Sequence, residues 1–132
     1  MKEHSIFYRV IYGDTDQMGI VYYGNYFRFF EMGRNEFLRN IGLEYKIMEE
    51  HGIYLPVKKA WAEYFKPVYY DDLIEIKTIL KSFKGATLEI ESQILRNNDI
   101  LVKGGTIHYF INKNFKVIKP PKWIKEKLLD DR

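Results

Sequence analysis

Hydrophobic and polar residues alternate with two different periods along the chain, and the longer period marks one helix. Between positions 25 and 41, apolar residues recur at about 100° per residue on one face, which predicts a helix roughly 25 Å long at 1.5 Å per residue. Asn25 can cap the free N–H groups of its first turn, and Gly42 suits its end. Gly33 lies in the middle of the apolar face and costs about 1 kcal/mol of helix propensity relative to alanine. Its position therefore predicts a close approach of the helix to a sheet.

A period of two predicts strands on both sides of this helix. The predicted strands cover residues 6–12, 53–67, 73–83, 87–96 and 100–112. Turn residues separate the later strands, at Lys84-Gly85 and at Asn97-Asn98-Asp99. The paired glycines 104–105 predict a bulge or a close backbone approach.

The remaining segments are short. Residues 43–51 read as a short second helix or an irregular turn, residues 115–118 as a short extended piece, and residues 123–129 as a last helix opened by Pro121. Because the strands follow one another after a single long helix, the order predicts an α+β fold in which an antiparallel sheet packs on that helix. It excludes a doubly wound sheet, in which strands and helices alternate.

Composition narrows the possible classes of protein. The 132 residues fit one domain, and no repeat, linker or low-complexity segment divides it, so we expect a single domain over residues 1–132. A net charge of +3, spread along the chain, does not favour nucleic acid as a partner. No window has the roughly 18 uninterrupted apolar residues of an integral membrane segment. The chain contains no cysteine, which excludes a thiol nucleophile and a zinc–thiolate site, and a cytoplasmic location is the expectation.

A polar turn lies between the first predicted strand and the long helix. It carries Asp14-Thr15-Asp16 and Gly19, a glycine that suits an unusual backbone conformation. Tyr12, Asp14 and Asp16 would face one way if the extended backbone continued through the turn. Local bonding to backbone N–H groups is the favoured interpretation of Asp14. The free N–H groups at the start of the helix add a partial positive charge nearby.

The stretch YGDTDQMGIVYYGNYFRFFEMGR closely resembles the signature of hotdog-fold acyl-CoA thioesterases of the 4-hydroxybenzoyl-CoA thioesterase and YbgC-like kind. The pattern there is a strand, then D-x-D-x-x-G-x-V-Y, then Asn-Tyr opening the central helix. The segment AEYFKPVYYDDLIEIKT, the Gly104-Gly105 strand and the closing Lys-Pro-Pro also match, so the resemblance covers nearly the whole chain. It implies a hotdog fold, in which one long central helix is wrapped by an antiparallel sheet of about five strands. It further implies homodimers that build the active site at their interface and assemble into homotetramers.

The resemblance implies hydrolysis of an acyl-coenzyme A to a free acid and CoA, without metal or cofactor. Asp16 matches the catalytic carboxylate, either as a general base on water or as a nucleophile. The backbone N–H of Tyr23 matches the oxyanion donor at the helix entry. Tyr12 matches a tyrosine that lines the site, with a core position as the alternative. Tyr23 also stands where many YbgC-like enzymes carry a histidine.

The resemblance and the charge pattern also suggest substrate-binding residues. Glu31 matches an acidic helix position near the acyl pocket of aromatic-acyl members, with a solvated helix acid as the alternative. Lys58, Lys59 and Lys84 are candidates for binding the phosphates of coenzyme A, with a solvated surface charge as the favoured alternative for each. The three histidines lack metal-ligand spacing, and His108 is interpreted as a packed or hydrogen-bonded residue. The acyl group itself cannot be chosen, because rings such as Trp61, Tyr64 and Phe65 suit aromatic and fatty acyl chains alike.

Three other functions are compatible with parts of the sequence. A DxD phosphoryl-transfer enzyme of the haloacid dehalogenase type would need a longer chain with alternating strands and helices. A hotdog dehydratase would need a catalytic histidine with an acid in a recognisable motif. The main alternative is a non-catalytic hotdog module that binds acyl-CoA or serves protein interaction.

Overall fold

The structure is a computed structural model, and it describes residues 2–130 of the chain. Its strands are β1 (Glu3–Arg9), β2 (Val57–Tyr64), β3 (Leu73–Lys84), β4 (Thr87–Arg96) and β5 (Asp99–Tyr109), and its helices are α1 (Asn25–Asn40), α2 (Tyr45–Glu50) and α3 (Lys122–Leu129). The five strands form one antiparallel sheet in the order β1-β3-β4-β5-β2. The predicted combination of a five-stranded antiparallel sheet with helices is therefore confirmed. Within residues 2–130, no helix is both long and apolar enough to cross a bilayer.

Helix α1, with 16 residues, is the longest helix of the described chain and packs against β1, β3 and β4. Gly33 makes this approach possible, because a Cβ atom there would lie 2.7 Å from both Ile76 Cγ2 and Thr78 Oγ1. The close approach predicted from Gly33 is thus confirmed. The predicted apolar face is also buried, at Tyr26, Phe30, Gly33 and Phe37. Phe27, next to this face in the sequence, is 38% exposed.

The sheet contains a second close contact, at Gly104 and Gly105 in β5. These residues pair in register with Ala62 and Trp61 of β2, and a Cβ atom on Gly104 would lie 2.1 Å from the Trp61 carbonyl oxygen. Of the two predicted explanations, the close backbone approach holds, since the register shift of this strand pair lies elsewhere, between Val57 and Lys59.

Several element boundaries differ from the prediction. Strand β1 begins and ends three residues earlier than predicted, while α2 settles the choice between a helix and an irregular turn for residues 43–51. Residues 115–118 form no strand and contribute one isolated bridge, between Val117 and Ile111. Strand β2 is shorter than predicted and lies at an edge of the sheet, which explains its mixed pattern, because most of its side chains remain exposed.

Candidate active site

The polar turn after β1 folds around the buried carboxylate of Asp14. Residues 12–14 form one turn of 3-10 helix, so the extended backbone that would align Tyr12, Asp14 and Asp16 on one face does not continue. Asp14 is fully buried, and its Oδ2 accepts hydrogen bonds from the Ile11 N–H at 2.9 Å and the Tyr8 hydroxyl at 2.7 Å. The local backbone bonding predicted for Asp14 is therefore confirmed.

Asp14 also binds two groups from outside the turn. The Arg28 guanidinium of α1 donates to Oδ1, which pairs the buried negative charge. Burial and then the bond to Asp14 raise the pKa of the Tyr8 hydroxyl, which keeps it protonated as a donor.

Asn25 does not cap α1 as predicted. It is the first residue of the helix, behind Gly24, and no side-chain cap is formed there. Its Nδ2 donates instead to the Asp14 carbonyl oxygen at 2.8 Å. The Asn25 amide therefore joins the helix to the turn. The buried carbonyl needs a donor from the protein, whereas the N–H groups of the open first turn can bond to water.

Asp16 lies in a small hairpin that projects from this turn. Its N–H donates to the Ile20 carbonyl at 2.9 Å, next to an isolated bridge between Thr15 and Val21. Gly19 closes the hairpin with φ +78°, the unusual conformation that its sequence position predicted. The Asp16 side chain is exposed, and its Oδ1 accepts a hydrogen bond from the Met18 N–H at 2.8 Å. Asp14 and Asp16 thus differ completely in surroundings although one residue separates them.

The peptide N–H of Tyr23 lies just before α1. The N–H of Tyr22 donates to the Asp14 carbonyl at 3.0 Å, and that of Asn25 donates to the Tyr22 carbonyl at 2.9 Å. The Tyr23 N–H, by contrast, has no acceptor among residues 2–130. A free donor at this place adds to the partial positive charge at the start of the helix.

A cavity of about 340 Å³ is lined in part by Tyr23. It is lined by Ile20, Val21, Tyr23, Tyr26, Tyr64, Phe65, Lys66 and Pro67. Burial is the main cause that raises the pKa of Tyr26 in the cavity wall, with smaller contributions in the same direction from Tyr64 and then Asp16. The cavity is mainly apolar and aromatic, and it lies between the Asp16 hairpin, the start of α1 and the end of β2.

The other predicted site residues lie outside this cavity. Tyr12 is 74% exposed and stacks on Tyr70 with ring centroids 4.0 Å apart, so the alternative of a core position is wrong. Glu31 is exposed and lines a second cavity of about 330 Å³ with Arg34, Asn35, Tyr45, Leu55, Pro56 and Val57.

The three predicted lysines are remote from Asp16 within one chain. Lys58 and Lys59 lie near the start of β2, over the rings of Tyr109 and Trp61, whereas Tyr64 at the other end of β2 lines the cavity. Lys84 ends β3, about 36 Å along the strand from its beginning at 3.3 Å per residue. The beginning of β3 is the part that pairs with the end of β1, next to the polar turn.

Sequence reasoning did not identify Tyr8, Arg28 and Asn25 as partners of Asp14, nor Lys66 in the cavity wall. Arg28 carried a usable signal, because a cation in the first turn of a helix opposes the helix dipole and so calls for a nearby acid. Lys66 forms an ion pair with Asp99 at 2.6 Å.

No group of three or more histidine and acidic residues that could hold a metal occurs within residues 2–130. His108 is buried and hydrogen-bonded, as predicted.

Comparison with known proteins identifies the family of the chain. The model of the thioesterase-like superfamily matches residues 10–128. The chain belongs to this superfamily. The acyl-CoA thioesterase YbgC of Haemophilus influenzae is 36% identical over 96 residues, which are 72% of this chain and 71% of the relative. The resemblance found in the sequence is thereby confirmed.

Two solved structures have a similar fold. A hypothetical protein of Aquifex aeolicus superposes with a TM-score of 0.90 at 34% identity, covering 95% of this chain and 98% of that chain. A 4-hydroxybenzoyl-CoA thioesterase mutant, in complex with 4-hydroxybenzoyl-CoA, superposes with a TM-score of 0.87 at 21% identity, covering 97% of this chain and 99% of that chain. The second likeness concerns the fold alone. The chain therefore has the hotdog-like fold of thioesterases.

Proposed function

We propose that the chain is an acyl-CoA thioesterase, which hydrolyses the thioester of an acyl-coenzyme A to a free acid and CoA. The proposal includes a single domain over residues 1–132, with α1 as the central helix of the hotdog fold, and a cytoplasmic location. The observation that carries it is the free Tyr23 N–H at the start of α1, beside a cavity and next to the hairpin of Asp16. A thioester carbonyl needs this combination of a donor for the developing oxyanion and a nearby carboxylate.

In this mechanism the Tyr23 N–H and the dipole of α1 stabilise the oxyanion. The exposed Asp16 carboxylate either removes a proton from the attacking water, or attacks the carbonyl carbon itself to give a mixed anhydride that water then opens. In both routes the C–S bond breaks and CoA leaves as its thiolate. Oδ1 of Asp16 accepts a hydrogen bond from the Met18 N–H, which leaves Oδ2 to act as the base or the nucleophile. Tyr12, on the exposed surface of the neighbouring turn, is proposed to line the entrance.

The arrangement of the remaining residues favours a homodimeric site. Lys58, Lys59 and Lys84 lie away from the Asp16 hairpin in one chain, and Glu31 lines a different cavity, so a second copy of the chain is proposed to bring these residues to the same substrate. Strand β2 lies at an edge of the sheet and bonds to β5 alone, which leaves its other side for a second copy. The proposed assembly is a homodimer with composite sites, further assembled into a homotetramer.

The activity is tested by CoA release from short, long and aromatic acyl-CoAs, with wild type beside Asp16→Asn. This substitution keeps the size of the side chain and removes its charge, so a loss of about 10²–10⁴-fold in kcat is expected. Asp71→Asn is the matched control, because Asp71 is also exposed and its φ of 70° suits asparagine. Undiminished turnover by Asp16→Asn would remove Asp16 from the mechanism. Acyl-CoA binding without turnover in wild type would instead favour a non-catalytic hotdog module.

The shared site is tested by mixing two inactive variants. Asp16→Asn and the double variant Lys58→Gln/Lys59→Gln are unfolded, refolded together and assayed for CoA release. A composite site predicts that mixed dimers recover part of the activity, since one of their two sites is intact. Sedimentation of a monomer at assay concentration, with full activity, would contradict the dimeric site.

A further inference from the structure

The carboxylate of Asp14 joins three elements around the polar turn. It accepts bonds from the Tyr8 hydroxyl of β1, the Ile11 N–H of the turn and the Arg28 guanidinium of α1. Both carboxylate oxygens are hydrogen-bonded to these donors, and the side chain is fully buried. Asp14 therefore cannot touch a substrate in the cavity, and its influence has to pass through the groups that it holds.

The carbonyl oxygen of the same residue holds the entry to α1. It accepts the Tyr22 N–H at 3.0 Å and the Asn25 Nδ2 at 2.8 Å. These two donors lie on either side of Tyr23 in the sequence, so the peptide with the free N–H is fixed from both sides. If the carbonyl of Asp14 moves, the direction of the Tyr23 N–H moves with it.

Asp14 also fixes the base of the Asp16 hairpin. Its N–H donates to the Ile11 carbonyl at 3.0 Å, and the next N–H, of Thr15, donates to the Tyr12 carbonyl at 3.0 Å. Thr15 then pairs with Val21, and Asp16 follows directly. The Asp16 carboxylate and the Tyr23 N–H, which are the reacting carboxylate and the oxyanion donor of the proposed reaction, are thus both positioned by buried Asp14.

We propose that Asp14 is the positioning residue of this site: it sets the distance and direction between the Asp16 carboxylate and the Tyr23 N–H. The inference rests on the proposed thioesterase function. A shift of about 1 Å between reacting groups can cost about 100-fold in rate, so the effect of Asp14 belongs in kcat. Substrate affinity depends instead on the cavity wall, to which Asp14 does not contribute.

The test is the kinetics of Asp14→Asn on the best acyl-CoA found for wild type. Asparagine keeps the shape but offers one acceptor oxygen to three donors and no charge to Arg28. We expect kcat to fall about 10–100-fold, with KM and the Kd of a non-hydrolysable thioether analogue within about 3-fold of wild type. A purely structural role would lower the amount of folded enzyme, and not kcat per folded molecule, so active enzyme is counted by titration with the analogue.

A second variant keeps the inference testable if Asp14→Asn does not fold. Asn25→Ala removes only the amide that the Asp14 carbonyl holds, at a half-buried position, and should lower kcat about 3–10-fold with KM unchanged. Asp71→Asn should leave both constants unchanged, because Asp71 is exposed and contacts Val10 and Arg9 through its backbone, which the substitution keeps. Wild-type kcat in Asp14→Asn, or in Asn25→Ala if Asp14→Asn is unfolded, would overturn the inference. No turnover by wild type on any acyl-CoA would overturn the proposed function itself, which separates the two failures.

Discussion

The buried imidazole of His108 predicts a specific loss of stability in acid. Its side chain is completely buried in β5, where Nδ1 lies 3.1 Å from the Leu55 carbonyl and Nε2 lies 2.8 Å from the Thr106 hydroxyl. Because a carbonyl can only accept, Nδ1 carries the proton and Nε2 accepts from Thr106. The ring is therefore neutral, and burial, followed by the charge of Arg34, lowers its pKa from 6.5 to about 4.

The direction of the effect follows from proton binding. Between pH 6.5 and about 4, the unfolded chain protonates this histidine while the folded chain does not. The contribution of His108 to stability is therefore complete above pH 6.5, declines as the pH falls, and declines no further below about 4. The difference of about 2.5 pH units, at 1.36 kcal/mol each, corresponds to roughly 3 kcal/mol.

Urea unfolding at a series of pH values between 7 and 4 measures this loss. Wild type is compared with His108→Gln, which has the same carboxylates but no imidazole at this position. The free energy of unfolding of wild type should fall by about 3 kcal/mol more than that of the variant over this range. Parallel curves, or an NMR titration of the His108 ring with a pKa near 6.5, would refute the reasoning.

Three further predictions concern single residues. Gly33→Ala should destabilise the fold by about 1–3 kcal/mol in urea unfolding despite the better helix propensity of alanine, whereas Asn40→Ala at the exposed end of α1 should not. Gly104→Ala should be more severe and abolish the cooperative transition seen by circular dichroism, because its Cβ would meet a backbone oxygen. Tyr23→Ala should retain much more CoA release than Asp16→Ala, since it keeps the proposed backbone donor; equal losses would contradict a backbone role.

The fold could be predicted because periodicity reports which face of an element is buried. The strand alternation in β3 and β4 and the apolar stripe of α1 recover these elements within one or two residues. The start of β1 could not be predicted in the same way. Glu3 and His4 have little strand character of their own and are extended because Ile79 and Thr78 of β3 lie opposite them. The length of a partner strand, and not local propensity, decides that boundary.

Asn25 illustrates a different limit of sequence reasoning. Local rules assign asparagine before an aromatic helix to the cap position, and at the level of one segment this is reasonable. In the structure, the Asn25 amide instead donates to the buried carbonyl of Asp14, eleven residues earlier in the chain. A buried carbonyl cannot bond to water and so needs a donor from the protein. This tertiary contact therefore overrides the local preference of asparagine for the cap position.

The two aspartates of the turn are the clearest case, because composition and spacing treat them alike. Asp14 is enclosed by the Tyr8 hydroxyl of β1 and the Arg28 guanidinium of α1. Both partners are too far from Asp14 in the sequence for rules about local structure to predict the contacts. Asp16 extends past the same turn and stays accessible to solvent. A buried carboxylate whose oxygens are bonded to three donors can only hold structure, while an exposed one with a free oxygen is available to the proposed reaction as base or nucleophile. The different surroundings of the two aspartates are therefore decided by the packing of β1 and α1 against the turn. If the proposed mechanism holds, substitution of either aspartate should impair the same catalytic step for different physical reasons.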